Sequence, residues 1–444
     1  MKYLKYKVFG VFCFMSFQHL FGQDRWTLDS CVKYALENSY QVKQNLLDLE
    51  TKKIQLNATK MSTLPSLGLS VGQDFDFGRA ATASAVIIDN TQSTTTFGVG
   101  FNMPIFNGLK TYHQMASDKL DIKAAIHQLE QVKENISLNV TAYYLQVLLY
   151  KEMLRSAKTQ VIISEEQVQR TEELVNNGKN AQADLYNAKA TLANDVLTVT
   201  NYQNQLRLGK LDLAQLMNVA DPQSFDITEP DTDSVFFENV LNQFIDIKAI
   251  TVHSLQHRPG IKVAETLIKK GESDVKIARS GYYPTLNLSA SYGTGYYYSF
   301  NSSLLDQNHP FGTQFKNNSR EIVGVSLNFP LFDRLSTYYN VKMSKIGVRL
   351  QTLQLEEAKR NIIKEIEQAY TEAIAAKDKY QAAKIAREAA QLAFQYEEVK
   401  FNAGTSTQYE YNEAKIKYEK AISSEIQAKY DFLLRREILK YYGS

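Results

Sequence analysis

The chain has 444 residues, of which 44% are apolar and 22% charged, a balance that excludes disorder as its general state and suffices for a large core. Against 48 Asp and Glu stand 50 Lys and Arg, a formal net charge of +2, which excludes a strong nucleic-acid footprint and an acidic scavenger.

The first 23 residues read as a secretory signal. Lys2, Lys5 and Lys7 form the basic part, Val8 to Phe17 the apolar part, and Gly22-Gln23 the processing site. The apolar part is shorter than the roughly 18 residues of a spanning helix, which favours cleavage over a membrane anchor. Cys13 lies inside the signal, so the mature chain keeps the single thiol Cys31 and no internal disulfide. No later window approaches a spanning helix, so any membrane crossing is made by strands.

Residues 24–217 form a first repeat: a helix, a hairpin over 64–106, a long helix over 109–176 and a return helix over 181–217. In the hairpin, Phe97, Val99, Phe101, Met103 and Ile105 alternate with Gly98, Gly100, Asn102 and Pro104, and Leu67, Leu69 and Val71 alternate with small residues. One face is apolar and the other small and polar, over a length that suits a membrane strand. From Ile122 to Val175 the three-four spaced positions are apolar or aromatic except Lys133, Ser164 and Thr171, which predicts supercoiling against neighbouring helices. At about 1.5 Å per residue this helix is a rod of roughly 100 Å. It ends in the turn Asn176-Asn177-Gly178-Lys179-Asn180, and a linker with Pro222 and Pro230 occupies 218–235.

Residues 236–444 repeat the order: a hairpin over 283–332, a long helix over 335–402 and a return helix over 406–441. Leu64-Pro65-Ser66-Leu67 recurs as Tyr283-Pro284-Thr285-Leu286, an offset of 284 − 65 = 219. Pro104 recurs as Pro330 and Gly178 as Gly404, both at 226, so seven extra residues lie between the strands of the second hairpin, where a loop tip accepts them. Four strands cannot close a water-filled barrel, whereas three chains supply twelve. For an isolated heptad array a coiled-coil spacer is the simpler reading, and a periplasmic coiled-coil scaffold without pore activity stays open as an alternative.

The stretch Val399-Lys400-Phe401-Asn402-Ala403-Gly404-Thr405-Ser406-Thr407, with Val175 to Ala188 as its partner, resembles the TolC-like outer-membrane efflux family, and the resemblance covers essentially the whole mature chain. It implies a mainly α fold with a membrane β portion: an antiparallel coiled-coil barrel, with two hairpins per chain giving four strands to a trimeric twelve-stranded β-barrel in outer-membrane lipid. It also implies a homotrimer whose tips, at Gly178, Gly404, Val175 and Val399, dock a periplasmic adaptor (membrane fusion protein) and an inner-membrane pump of an efflux or type I secretion system. By the same resemblance, Glu410 and Glu413 ring the constriction, and Asp184 helps hold it shut. Phe401 stands where the family has a tyrosine hydroxyl, and Ser406 where it has an arginine, so a lock through Asp184 must be rebuilt or weaker.

No phosphate loop, nucleophile elbow or zinc motif occurs. His253 and His257 share a helix face at i, i+4 without a third ligand nearby, and Asp231 and Asp233 serve solubility in the linker. The expectation is a passive duct with no catalytic residue, cofactor, metal or nucleic-acid partner.

Overall fold

The computed structural model describes residues 26–81, 87–89, 91–229, 246–300 and 308–443. The signal segment, linker residues 230–235 with Asp231 and Asp233, and the start of the second repeat lie outside the described residues.

The order is α1 (Leu28–Asn38), α2 (Tyr40–Met61), β1 (Ser66–Asp76), β2 (Arg79–Ala81), β3 (Ile87–Asp89), β4 (Gln92–Asn107), α3 (Lys110–Asn176) and α4 (Gln182–Met217). Then follow α5 (Ile247–His257), α6 (Pro259–Arg279), β5 (Thr285–Ser299), α7 (Phe311–Asn317), β6 (Arg320–Asn328), α8 (Ser336–Asn402) and α9 (Gln408–Gly443). Both α3 and α8 are unbroken for 67 residues. Neither contains proline, and each carries an apolar seam broken only by a few polar residues.

The described residues divide into two units, each drawing on both repeats: those within 26–37, 139–229 and 377–434 in one, and those within 38–138, 246–376 and 435–443 in the other.

The second unit holds a four-stranded antiparallel sheet in the order β1-β4-β5-β6. The two hairpins have equivalent registers. Ser66 opposes Asn102 in the first, and Thr285 opposes Asn328 in the second, which are the same positions shifted by 219 and 226. Each second strand leads into its long helix through two left-handed residues, Gly108-Leu109 (φ 66° and 66°) and Arg334-Leu335 (φ 57° and 63°). Arg334 shows that this backbone tolerates a side chain. Gly108 is needed for another reason, since a Cβ there would lie 2.6 Å from the Ser280 carbonyl oxygen.

The seven extra residues do not simply lengthen an open loop. Part of that connection folds as α7 and packs on β5, where β6 has already ended. The Asn308 side chain bonds the backbone N–H and C=O of Ser299, Gln314 does the same for Tyr297, and Asn318 donates to Gly295 O. Three side-chain amides thus stand in for a strand and satisfy alternate residues of an edge that would otherwise be bare.

In this unit Leu439 of α9 is buried with Ala369 and Ala373 of α8. Arg258, between α5 and α6, stacks on Tyr441, donates to Tyr441 O and pairs with Glu134 at 2.9 Å, fixing the end of α9.

In the first unit Val140, Val147 and Ala157 of α3, Leu185, Ala188 and Leu213 of α4, and Tyr380 and Phe394 of α8 are buried, those of α3 at positions of the predicted seam. Cys31 is fully buried, and burial pushes its thiol up to about 12, so it behaves as an apolar core residue.

Candidate functional site

The strand registers sort every residue of the sheet onto one of two faces. One carries Leu67, Leu69 and Val71, then Phe101, Val99 and Phe97, then Ala290, Tyr292 and Leu288, then Val323, Val325 and Leu327. In a soluble protein this face would be covered by a core, yet Leu69 is 76% and Val323 78% exposed. So large an unpartnered apolar sheet face suits lipid and not water. Tyr296 and Tyr298 continue it toward the β5 end, where Phe97, Tyr296, Phe311 and Phe315 form an aromatic group with centroids 5.5–6.2 Å apart. Tyr297, between Tyr296 and Tyr298 in sequence, lies on the other face. That other face is small and polar: Gly68, Ser70, Gly72 and Asp74, with Gly98, Gly100, Ser289, Ser291 and Gly324 across from them.

Both tips close in one geometry. Gly178 (φ 71°) and Gly404 (φ 73°) take the left-handed conformation. The N–H of Lys179 reaches back to Leu174 O and that of Thr405 to Lys400 O, at 2.8 and 3.0 Å, while each glycine N–H bonds the carbonyl three residues earlier. This is the double closure that ends a helix at glycine. Val399 is exposed and aligns with exposed Ile385, Leu392 and Tyr396 as a stripe on α8, while Val175 is half-buried.

The acidic residues six positions past the tip glycines have a local task that their spacing did not suggest. Glu410 accepts from the Thr407 N–H and hydroxyl, each at 2.8 Å, while its own N–H donates to Thr407 Oγ1. Asp184 likewise accepts from the Ala181 N–H. Both complete a capping arrangement that opens the return helix, and the Thr-x-x-Glu run at 407–410 was the legible signal for it. Glu413 is exposed and pairs with Lys417 at 2.6 Å. Ser406, at the expected arginine position, donates to Glu397 and Glu410, and Phe401 packs on Tyr411 with centroids 4.9 Å apart. Asp184, Glu410 and Glu413 all belong to the unit that contains both tips.

The Thr407 N–H and hydroxyl and the Ser406 hydroxyl hold the Glu410 carboxyl below its ordinary value. A carboxylate with a depressed pKa contributes stability at neutral pH and loses it as pH falls through the folded value. Amide protection factors at 407–410 are therefore expected to be high at pH 7 and to drop in acid below the usual carboxylate range. Glu410→Ala should produce the same fraying at pH 7. Unchanged protection in that variant would remove the cap.

The family model described as outer membrane efflux protein matches residues 31–219 and 251–441, which is most of the chain. The chain belongs to the outer membrane efflux protein family. The outer membrane protein TolC of Escherichia coli K12 is 23% identical over 419 residues, covering 90% of this chain and 78% of the relative. TolC of Salmonella enteritidis is 24% identical over 416 residues with the same coverage. The solved structure of the outer membrane protein VceC of Vibrio cholerae superposes with a TM-score of 0.73 at 17% identity, covering 94% of this chain and 96% of that one. A membrane protein of Pseudomonas aeruginosa gives 0.76 at 15%.

This member of the efflux family is therefore an outer-membrane channel with a helical tunnel and a β portion, and not an enzyme. A scaffold confined to the periplasm is set aside by that membership and by the uncovered apolar face. The rings of His253 and His257 stack at 4.4 Å, with His257 Nδ1 against the His253 carbonyl. Among the described residues no group of three or more His, Cys, Asp or Glu could hold a metal.

The polar interruptions of the efflux channel's seam carry its cross-links. Ser164 of α3 bonds Asp195 of α4, and both bond Lys415 of α9, whose ammonium lies 2.5 Å from Ser164 Oγ, 3.0 Å from Asp195 and 3.4 Å from Glu419. The Lys415 side chain is only 4% exposed. Arg387, another interruption, pairs with Glu425 at 2.7 Å, and Lys429 with Glu152 at 3.1 Å. Sequence reading flagged Ser164 only as an exception. Its partners lie 31 and 251 residues away, and no local pattern announces them.

Proposed function

We propose that three copies of this chain close a twelve-stranded barrel above a common helical tunnel and form a passive exit duct, which docks a periplasmic adaptor and an inner-membrane pump of a tripartite efflux or type I secretion system. The observation that carries this reading is the sheet: four strands, an exposed apolar face, and two strands, β1 and β6, that each pair on one side only. An open edge in lipid leaves backbone groups unsatisfied, and closure with further copies satisfies them. The two repeats, 24–217 and 236–444, each give one hairpin and one pair of long helices to that wall.

At the tips, Gly178 and Gly404 with Val175 and Val399 form the surface offered to the adaptor, which the exposed stripe Leu392, Tyr396 and Val399 extends. Glu410 and Glu413 from three chains line the constriction, with Asp184 behind them, and their charge favours cations. Because Glu410 also caps a helix, its constriction role is separable from its structural one only by comparing variants. In planar bilayers the purified chain should give discrete channels. Glu413→Ala should lower cation preference with the fold intact, and Glu410→Ala should lower it while also fraying the tip. No conductance would sink the duct, and unchanged selectivity in both variants would remove them from the constriction.

A further inference from the structure

We propose that Arg320 of one chain pairs with Asp76 of the next on the small, polar face of the barrel, giving three ion pairs that fix the register of the seams. This rests on the trimeric reading above and names the contact by which that trimer closes. In the sheet, β1 and β6 are the two edges, and their directions make a β6-to-β1 junction antiparallel like the other three.

Face parity narrows the alignment. Arg320 opposes Gly293, which opposes Gly98, which opposes Ser70, so Arg320 shares the small face with the even-numbered residues of β1. It also lines a groove on that face with Ser70, Gly98 and Gly293. Pairing all nine residues of β6 within the eleven of β1 then leaves Asp74 or Asp76 opposite Arg320.

The internal junction between the two hairpins gives an independent value. Asn102 opposes Ser289 there, and the repeat offsets carry that pair to 102 + 226 = 328 and 289 − 219 = 70. In that register Ile322 faces Asp76, and Arg320 lies two residues further, opposite Gly78 and past the end of β1. In all three alignments Asp76 is either directly opposite Arg320 or its diagonal neighbour two residues along, within reach of a long side chain.

The surroundings agree. Within the chain, among the described residues, no carboxylate bridges Arg320, and Asp76 accepts only a hydrogen bond from Gln92. Glu321 opposes Tyr292 on the apolar face and so cannot compete. Beyond Arg320 the edge of β5 is already occupied by Asn308, Gln314 and Asn318, which leaves β6 as the docking edge.

The test is charge reversal in the full chain, read as the temperature at which detergent-resistant trimers dissociate. Arg320→Glu and Asp76→Lys are each expected to lower it by about 5 °C, and the double reversal to restore it to within about 2 °C of the original. Singles that leave the temperature unchanged, or a double that falls by the sum of the singles, would overturn the pair while the trimer stands. Absence of any trimer from the unmodified chain would sink the trimeric reading itself, and the pair with it.

Discussion

Arginine at Val99 is expected to remove most of the assembled channel from the outer membrane, while arginine at the adjacent Gly100 leaves it in place. The two positions are neighbours on the central strand β4 but face opposite ways: Val99 lies between Leu69 and Tyr292, Gly100 between Gly68 and Ser291. A guanidinium on the lipid side near mid-membrane costs about 2–4 kcal/mol per chain, and the three copies of the proposed trimer would multiply it. On the water side the charge meets no lipid, and nothing lies within 4 Å of where a Cβ on Gly100 would sit. The measurement is the yield of heat-modifiable trimer in outer-membrane fractions. Equal yields from the two variants would mean that the face assignment is wrong, and the reverse order would mean that the sheet is inside out.

The second large effect is expected at Lys415. Its ammonium is the cation against which Asp195 and Glu419 are buried, and burial raises the Glu419 pKa even with Lys415 opposing. Lys415→Met would leave two carboxylates without their counter-ion, a loss of about 3–5 kcal/mol. Removing the whole cluster is a different matter. Lys415→Met with Asp195→Leu, Glu419→Leu and Ser164→Ala replaces the ionic layer by an apolar one and should recover most of the loss, because a buried ion pair is near neutral against well-packed hydrophobic groups. Denaturant midpoints of the detergent-solubilised chain measure both. A single variant that loses under 1 kcal/mol would show that Lys415 does not hold the layer. If the fourfold variant recovers stability but fails to open or close in conductance, the layer sets alignment of the coils and not merely their strength.

Much of the fold was legible because its signals are local and stated twice. The alternation Phe97, Val99, Phe101 gave both strand and faces, and the offsets 219 and 226 reappear as equal registers in the two hairpins. The helix ends were marked by Gly178 and Gly404, the residue type best able to adopt the left-handed closing conformation. What escaped depends on partners distant in sequence or on side chains imitating backbone. Lys415 meets Asp195 across 220 positions, and Asn308, Gln314 and Asn318 are unremarkable polar residues until they meet the edge of β5. The turn at Arg334-Leu335 was hidden because arginine carries no expectation of positive φ, although its counterpart Gly108 does. The site was legible in placement more than in role: Asp184 and Glu410 sit beside the tips, but their helix-capping bonds came to light only with the geometry.

The amide ladder over β5 bears on how a chain with two bare edges avoids endless polymerisation. Head-to-tail addition of strands can continue into ribbons as readily as it closes into rings, and the outcome depends on whether early, misaligned additions come apart again. With β6 ending at Arg320 and the three amides blocking the continuation along β5, a junction in the proposed trimer is limited to at most the nine residues of β6. In the trimer proposed above, a short junction would dissociate readily while it is alone, so errors would be corrected, and would become permanent only when the third chain closes the circle and every junction is held by the other two.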